Sequence, residues 1–193
     1  MRMLLILLLA VASFTATAQT IVYGKQGEQA MATRLVTLTS QEGEDKVAFL
    51  GRVGRFLTNF TQNNGVEGCA TICRAPDSSR WGVVTYTNQS VLACIVVTTC
   101  PDGMEDTKVS IHSHPEIGSY NLSRTDKTFM RARGERSKDQ GIFSVRSYGG
   151  FSRFDKEHGP GYLVEGGRLL YFNGSVSEDL GTVSATVLGA ATP

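Results

Sequence analysis

Two histidines that stand two residues apart, His112 and His114, are the residues of this chain best suited to metal chemistry. They end an alternating apolar run at residues 109–111 that is typical of a β-strand. Because residues i and i+2 of a strand point to the same face, both imidazoles should point to one side of it. Pro115 then ends the strand, since proline cannot donate to the ladder. The pattern predicts half of a metal site.

A carboxylate that could complete this site follows shortly afterwards. Ser123 and Asp126 have the spacing of a helix N-terminus, with Ser123 as the cap and Asp126 in the first turn. Two neutral imidazoles and one carboxylate, with a fourth position left to water, form the ligand set of a catalytic zinc ion. Each feature also has a simpler interpretation: a surface histidine pair, and an ordinary capping box.

These residues together resemble a known motif. His112-Ser113-His114-Pro115 followed by Ser123 and Asp126 is similar to the JAMM motif of the JAB/MPN metallopeptidases, in which H-[ST]-H precedes S-x-x-D by about seven residues. Eight residues separate His114 from Ser123 in this chain. No other Asp lies within ten residues downstream, so Asp126 is the candidate. The resemblance implies that His112, His114 and Asp126 bind Zn²⁺ and that Ser123 helps to hold the developing oxyanion.

The motif also needs an upstream glutamate, because a zinc-activated water needs a proton acceptor within reach. In the JAB/MPN family this residue lies on an early strand after the first helix and is followed by small residues. Glu67, which precedes Gly-Cys-Ala, meets both conditions. Glu42 and Glu44 precede the helix, and Glu105 lies in a loop before the histidine strand. The alternative for Glu67 is a solvated residue at the start of a strand.

The resemblance covers residues 44–174 and implies a zinc-dependent hydrolase of peptide or isopeptide bonds. For an exported chain, the substrate would be a peptide, a protein or a cell-wall amide. Two other classes of function stay open. One is a catalytically inactive JAB/MPN-like binding or effector module, and the other is a secreted, disulfide-stapled domain whose histidine pair only scavenges metal.

The rest of the pattern supplies elements to position these residues. Helical periodicity runs from residue 44 to an Asn-Asn-Gly end at 63–65 and recurs at 123–133. Strand-like runs lie at 66–74, 81–87, 91–98, 108–112 and 141–145, with a hairpin at 161–172. The order predicts an α/β sandwich. It is similar to the JAB/MPN-like (cytidine-deaminase-like) fold, which implies a mixed sheet flanked by helices.

Three segments of the chain are less informative. Residues 19–43 form an N-terminal segment that is irregular or weakly stranded, and residues 175–193 form a small-residue tail. Residues 151–160 form a long connection that could border the site. It contains His158, for which we predict no role because a lone loop histidine is usually solvated.

Four cysteines lie within one short region of the chain: Cys69, Cys73, Cys94 and Cys100. An even number in an exported chain implies two disulfides. Cys69 and Cys73 are four residues apart on one strand, so we expect bridges between the first pair and the second pair. A cysteine-ligated zinc site is the alternative.

The N-terminus indicates export. A basic start, a short apolar run at residues 4–12 and Ala16-Thr17-Ala18 predict a signal peptide over residues 1–18, cleaved before Gln19. An uncleaved anchor is the alternative. No other stretch is apolar enough to span a membrane, so we expect a secreted or periplasmic protein. Its 19 basic and 18 acidic residues give no electrostatic basis for nucleic-acid binding.

Overall fold

The computed structural model describes residues 18–24, 27–134 and 141–183. The predicted signal peptide lies outside the described residues except for its last position, and stays a prediction. No helix in the described ranges has the length and apolar character needed to cross a bilayer. The two disulfides fit an extracellular protein, because such bonds persist in oxidising compartments.

The described chain folds into ten strands and three helices. In chain order these are β1 (Gln19–Tyr23), β2 (Gln29–Thr39), α1 (Lys46–Asn64), β3 (Cys69–Arg74), β4 (Trp81–Thr87), β5 (Glu105–Ser113), β6 (Gly118–Asn121), α2 (Arg124–Ala132), β7 (Ile142–Val145), α3 (Arg153–Glu157), β8 (Gly161–Glu165), β9 (Arg168–Phe172) and β10 (Ser177–Thr182).

Eight of these strands form one mixed sheet in the order β1-β2-β4-β3-β5-β8-β9-β10. All of its pairings are antiparallel except that between β5 and β8, which is parallel. The remaining two strands, β6 and β7, form a separate ribbon. The predicted α/β class and mixed sheet are therefore confirmed. The histidine strand β5 lies in the interior of the sheet, paired on both sides by β3 and β8.

Helix α1 packs its apolar stripe on this sheet. Asp45 caps its N-terminus by accepting from the Ala48 amide, and Gly65 ends it with a left-handed φ of 68°. The predicted end at Asn-Asn-Gly is thus confirmed. The buried core joins side chains of the helix to those of the central strands: Phe49, Leu50, Val53, Leu57, Ile72, Val83 and Ile111.

Both chain ends contribute more to the sheet than their sequences indicate. The weakly stranded N-terminal segment forms β1 and β2, and β2 pairs with β4. At the other end, β10 pairs with β9 on the opposite edge. The strands outside residues 44–174 therefore belong to the same sheet as those within. Residues 184–193 lie outside the described residues.

The predicted strand at residues 91–98 is wrong. This segment has no regular secondary structure, and side chains supply several of its hydrogen-bond partners in place of a ladder. The Asn88 side chain accepts from the Ile95 amide, and the Thr71 hydroxyl donates to the Val97 carbonyl. We call residues 91–100 the wall segment, because much of it lines the cavity described below.

Two disulfides fasten the wall segment to β3. Cys69 is bonded to Cys94 and Cys73 to Cys100, so both bridges join the first cysteine pair to the second, as predicted. None of the four cysteines is free. The cysteines therefore hold no metal in this fold.

Candidate metal centre

Strand β5 positions both histidines, and the serine between them fixes the strand. Ser113 points to the opposite face, where its hydroxyl lies 2.6 Å from that of Thr61 and accepts from the Gly68 amide. A side chain at Gly68 would bring its Cβ within 2.9 Å of Leu57, so the chain needs glycine for this close approach. The local packing thereby fixes the direction in which His112 and His114 point.

The two imidazoles converge on a carboxylate from α3. The Nε2 atoms of His112 and His114 lie 3.2 Å apart. Asp155 places Oδ1 3.3 Å from His112 Nε2 and Oδ2 3.4 Å from His114 Nε2. In the part of the chain that the structure describes, these three residues form the one group of side chains able to hold a metal ion.

The spacing of this group suits a small tetrahedral ion. Bonds of about 2.0–2.1 Å to four tetrahedral ligands place the ligand atoms about 3.3–3.4 Å from one another. The two Nε2 atoms are 3.2 Å apart, and each lies 3.3–3.4 Å from a different oxygen of Asp155, so each of these contacts is close to that edge length. The donor set of two imidazole nitrogens and a carboxylate oxygen also suits zinc. His112, His114 and Asp155 are therefore candidate ligands for such a metal.

Asp155 is held in place by its own helix. Ser152 caps α3, its hydroxyl accepting from the Asp155 amide while the Asp155 carboxylate accepts from the Ser152 amide. This reciprocal capping box orients the carboxylate at the N-terminus of a helix of five residues. The segment 151–160, expected to be a connection, therefore contains a helix that supplies a side chain to the site.

The structure does not bring Asp126 or Ser123 into this group. Asp126 is buried, and its carboxylate accepts hydrogen bonds from the Ser90 hydroxyl, the Val91 amide and the Ser123 amide. Ser123 caps α2, accepting from the Asp126 amide. The predicted helix start is thus confirmed, but the pair ties α2 to the beginning of the wall segment. Asp155 therefore takes the place of Asp126 as the candidate carboxylate ligand.

A signal for Asp155 exists in the sequence. Ser152-Arg153-Phe154-Asp155 is a second S-x-x-D pattern, which lies much further from His114 than the first. Spacing alone cannot distinguish it from the pattern at Ser123, because both patterns form real capping boxes.

Glu67 lies just before β3, next to the histidines. The register pairs Cys69 with His112, and its continuation places Glu67 opposite His114. The residue is 5% exposed and lines the same cavity as the metal-binding group. Burial raises the pKa of its carboxyl to about 8, although the nearby His114 opposes this rise. Glu67 is therefore a buried carboxyl at the site and not the solvated residue of the alternative interpretation.

A further carboxylate, absent from the sequence-based prediction, orients His114. Glu165 ends β8, and its Oε1 lies 3.0 Å from His114 Nδ1. The Glu165 carboxylate also accepts from the amides of Gly149 and Gly150. Because an anionic acceptor favours a proton on Nδ1, Nε2 is left available to a metal. No spacing pattern pointed to this residue, which the parallel pairing of β5 and β8 brings to the histidines.

Protons compete with metal at His114. Burial by itself would lower the pKa of this imidazole, but hydrogen bonds to Asp155 and Glu165 raise it to about 10. A metal ion binds neutral imidazole and must displace the proton shared with Asp155. Metal affinity should therefore increase as the pH rises toward 10.

Replacement of Glu165 by glutamine should weaken metal binding. Glu165→Gln retains the size of the side chain but removes the anionic acceptor that fixes the His114 tautomer. We expect zinc affinity to fall by about ten- to a hundred-fold, as is typical for loss of a hydrogen-bond partner of a metal ligand. Competition with a chromophoric chelator would measure this. Glu157→Gln, at the solvent-exposed end of α3, is the matched control and should bind zinc like the native protein.

The candidate metal centre opens into a cavity of about 610 Å³. This volume is in the range of small-molecule and cofactor sites. Glu67 and the three candidate metal ligands line it, together with apolar side chains of the wall segment and of β7. His158, for which no role was predicted, also lines it, with its Nδ1 2.7 Å from the Phe154 carbonyl.

Comparisons of the chain with models of known protein families, with curated proteins and with solved structures gave no match. The interpretation of the site therefore depends on its own geometry.

Proposed function

We propose that this protein is a zinc-dependent hydrolase of peptide or isopeptide bonds, of the JAB/MPN type. The observation that carries the proposal is the convergence of His112, His114 and Asp155 beside the buried carboxyl of Glu67. Three protein ligands leave a fourth position for water or substrate, which is typical of catalytic and not of structural zinc. The resemblance of the sequence to the JAMM motif supports the same function.

Each residue has a defined chemical role in this proposal. When bound, zinc supplies Lewis-acid polarisation of the substrate carbonyl and lowers the pKa of a bound water. Glu67 accepts a proton from the attacking water and later delivers it to the nitrogen of the leaving amine. Its raised pKa suits both steps, because the group can exchange a proton near neutral pH. His112, His114 and Asp155 hold the metal, and Glu165 fixes the tautomer of His114.

In this proposal, Ser152 takes the role that the resemblance to the JAMM motif implies for Ser123. Its hydroxyl oxygen accepts from the Asp155 amide, which leaves the hydroxyl hydrogen able to donate. Ser152 lines the cavity beside the metal-binding group. We therefore assign to Ser152 the hydrogen bond to the oxyanion that develops on the substrate carbonyl.

Metal content and hydrolysis test the proposal together. The protein without a His tag, reconstituted with excess zinc and dialysed, should retain one zinc per chain, bound more tightly at pH 8 than at pH 6. It should then hydrolyse members of a peptide and cell-wall-fragment library. A chelator should abolish this activity and zinc should restore it. Absence of zinc after reconstitution would overturn the proposal, and bound zinc without any hydrolysis would favour the binding module.

A further inference from the structure

The cavity contains a cation that the proposed chemistry does not use. Arg133 follows α2 as its C-terminal cap and is the only lysine or arginine among the described residues that line the cavity. The other ionisable residues there are Glu28, Glu67, Asp155 and Glu165, with three histidines. Burial by itself would raise the carboxyl pKa values of Asp155 and Glu165, but their histidine partners lower them. These two carboxylates would repel a negatively charged group of a ligand, so Arg133 marks where it could be accommodated.

The guanidinium of Arg133 is oriented but not neutralised by the described residues. Its Cζ lies 4.3 Å from the centroid of the Phe154 ring, so the cation stacks on the residue next to Asp155. No hydrogen bond or ion pair from the described chain reaches its N–H groups, although the residue is half-buried. The planar fork of N–H donors on a guanidinium matches a carboxylate in a bidentate arrangement.

Arg133 and the proposed general base Glu67 line the same cavity. A carboxylate bound to Arg133 would therefore share this cavity with the amide bond that Glu67 acts on. The cavity lining also includes the apolar side chains of Leu92, Ile95, Phe129 and Phe143.

We propose that Arg133 binds a carboxylate of the substrate. The preferred substrates would then be peptide chain ends that carry a free carboxylate and an apolar residue. This inference deepens the proposed function and rests on it for the position of the scissile bond. A cavity of about 610 Å³ accommodates a short chain end better than an extended internal segment. Amidation of the substrate carboxylate should remove the preference.

Binding of two matched probes tests the inference without catalysis. N-Acetylphenylalanine carries a free carboxylate, and N-acetylphenylalaninamide has the same body without the charge. Calorimetry on the metal-free and the zinc-loaded protein should show that the acid binds more tightly than the amide. In both forms of the protein, this difference in affinity should decrease when Arg133 is replaced. We expect Arg133→Met, which retains an apolar contact with Phe154, to weaken acid binding by about ten- to a hundred-fold and to leave amide binding unchanged.

Matched variants make the result specific. Arg131→Met changes an exposed arginine in the last turn of the same helix and should have no effect. Arg133→Lys keeps the charge without the planar fork and should have an intermediate effect; it also serves if Arg133→Met fails to fold. An unchanged acid preference in Arg133→Met, or an equal loss for acid and amide, would overturn the inference.

The experiment separates this inference from the proposed function. Acid preference that depends on Arg133, in a protein that hydrolyses no amide, would leave the carboxylate site standing and overturn the hydrolase. Zinc-dependent hydrolysis with no difference between free and amidated chain ends would support the hydrolase and overturn the carboxylate site. On a hydrolysed peptide pair, loss of Arg133 should raise KM for the free acid more than it lowers kcat, because the contact precedes the reaction.

Discussion

Asp155→Asn protein should fail to retain zinc, whereas Asp126→Asn protein should retain one zinc per chain. Asp155 supplies the oxygen that completes the group with His112 and His114. Loss of a residue that only hydrogen-bonds to a metal ligand typically lowers metal affinity by about ten- to a hundred-fold. Loss of the Asp155 ligand itself should lower zinc affinity by more than this. His112→Ala should have the same effect. Elemental analysis of the dialysed proteins would measure it.

Both aspartates should also contribute to the stability of the fold. Asp126 is buried and accepts three hydrogen bonds, so Asp126→Asn should lower the free energy of unfolding by about 1–3 kcal/mol. Asp155→Asn should also lower the stability of the metal-free protein, because the Asp155 carboxylate contacts both imidazoles and accepts from the Ser152 amide. Loss of zinc from Asp126→Asn protein that is folded by circular dichroism would return Asp126 to the ligand set and contradict our assignment.

Glu67→Gln protein should bind zinc normally but hydrolyse its substrate about a hundred- to ten-thousand-fold more slowly. That range is what a positioned acid or base typically contributes to a rate. The substitution preserves the size of the side chain and removes its ability to exchange a proton. Initial rates at saturating substrate, together with zinc content measured on the same samples, would test both parts.

A matched glutamate controls for general effects of the substitution. Glu105 lies at the exposed start of β5, on the histidine strand but away from the cavity, and Glu105→Gln should have native activity. Native activity in Glu67→Gln protein would show that the base is another group. Loss of zinc from Glu67→Gln protein would instead make this carboxylate a ligand.

Features of the site that are determined by residues close together in the chain could be predicted from the sequence. The two-residue period of a strand predicts that His112 and His114 share a face, and Ser113 accordingly points to the other. Helix α1 and both capping boxes follow from equally local signals. The S-x-x-D pattern at Ser123 was correctly interpreted as a helix start.

The third ligand could not be chosen by local reasoning. The two S-x-x-D patterns form the same capping geometry, and only the fold determines which of them faces the histidines. Segment 152–155 precedes β8, whose parallel pairing with β5 brings both Asp155 and Glu165 to the imidazoles. Similarly, residues 91–98 have the apolar composition of a strand, but two disulfides and the side chain of Asn88 hold them in another conformation.

The two disulfides make one side of the cavity depend on the redox state of the cysteines. The wall segment has no ladder of its own, and its attachment to β3 is covalent at Cys94 and at Cys100. The three candidate metal ligands, in contrast, lie on β5 and α3, neither of which contains a cysteine. Reduction of the disulfides should therefore release the wall segment, which forms one side of the cavity, without breaking a covalent bond of the elements that carry these ligands. The shape of the cavity thus depends on an oxidising environment as well as on the sequence.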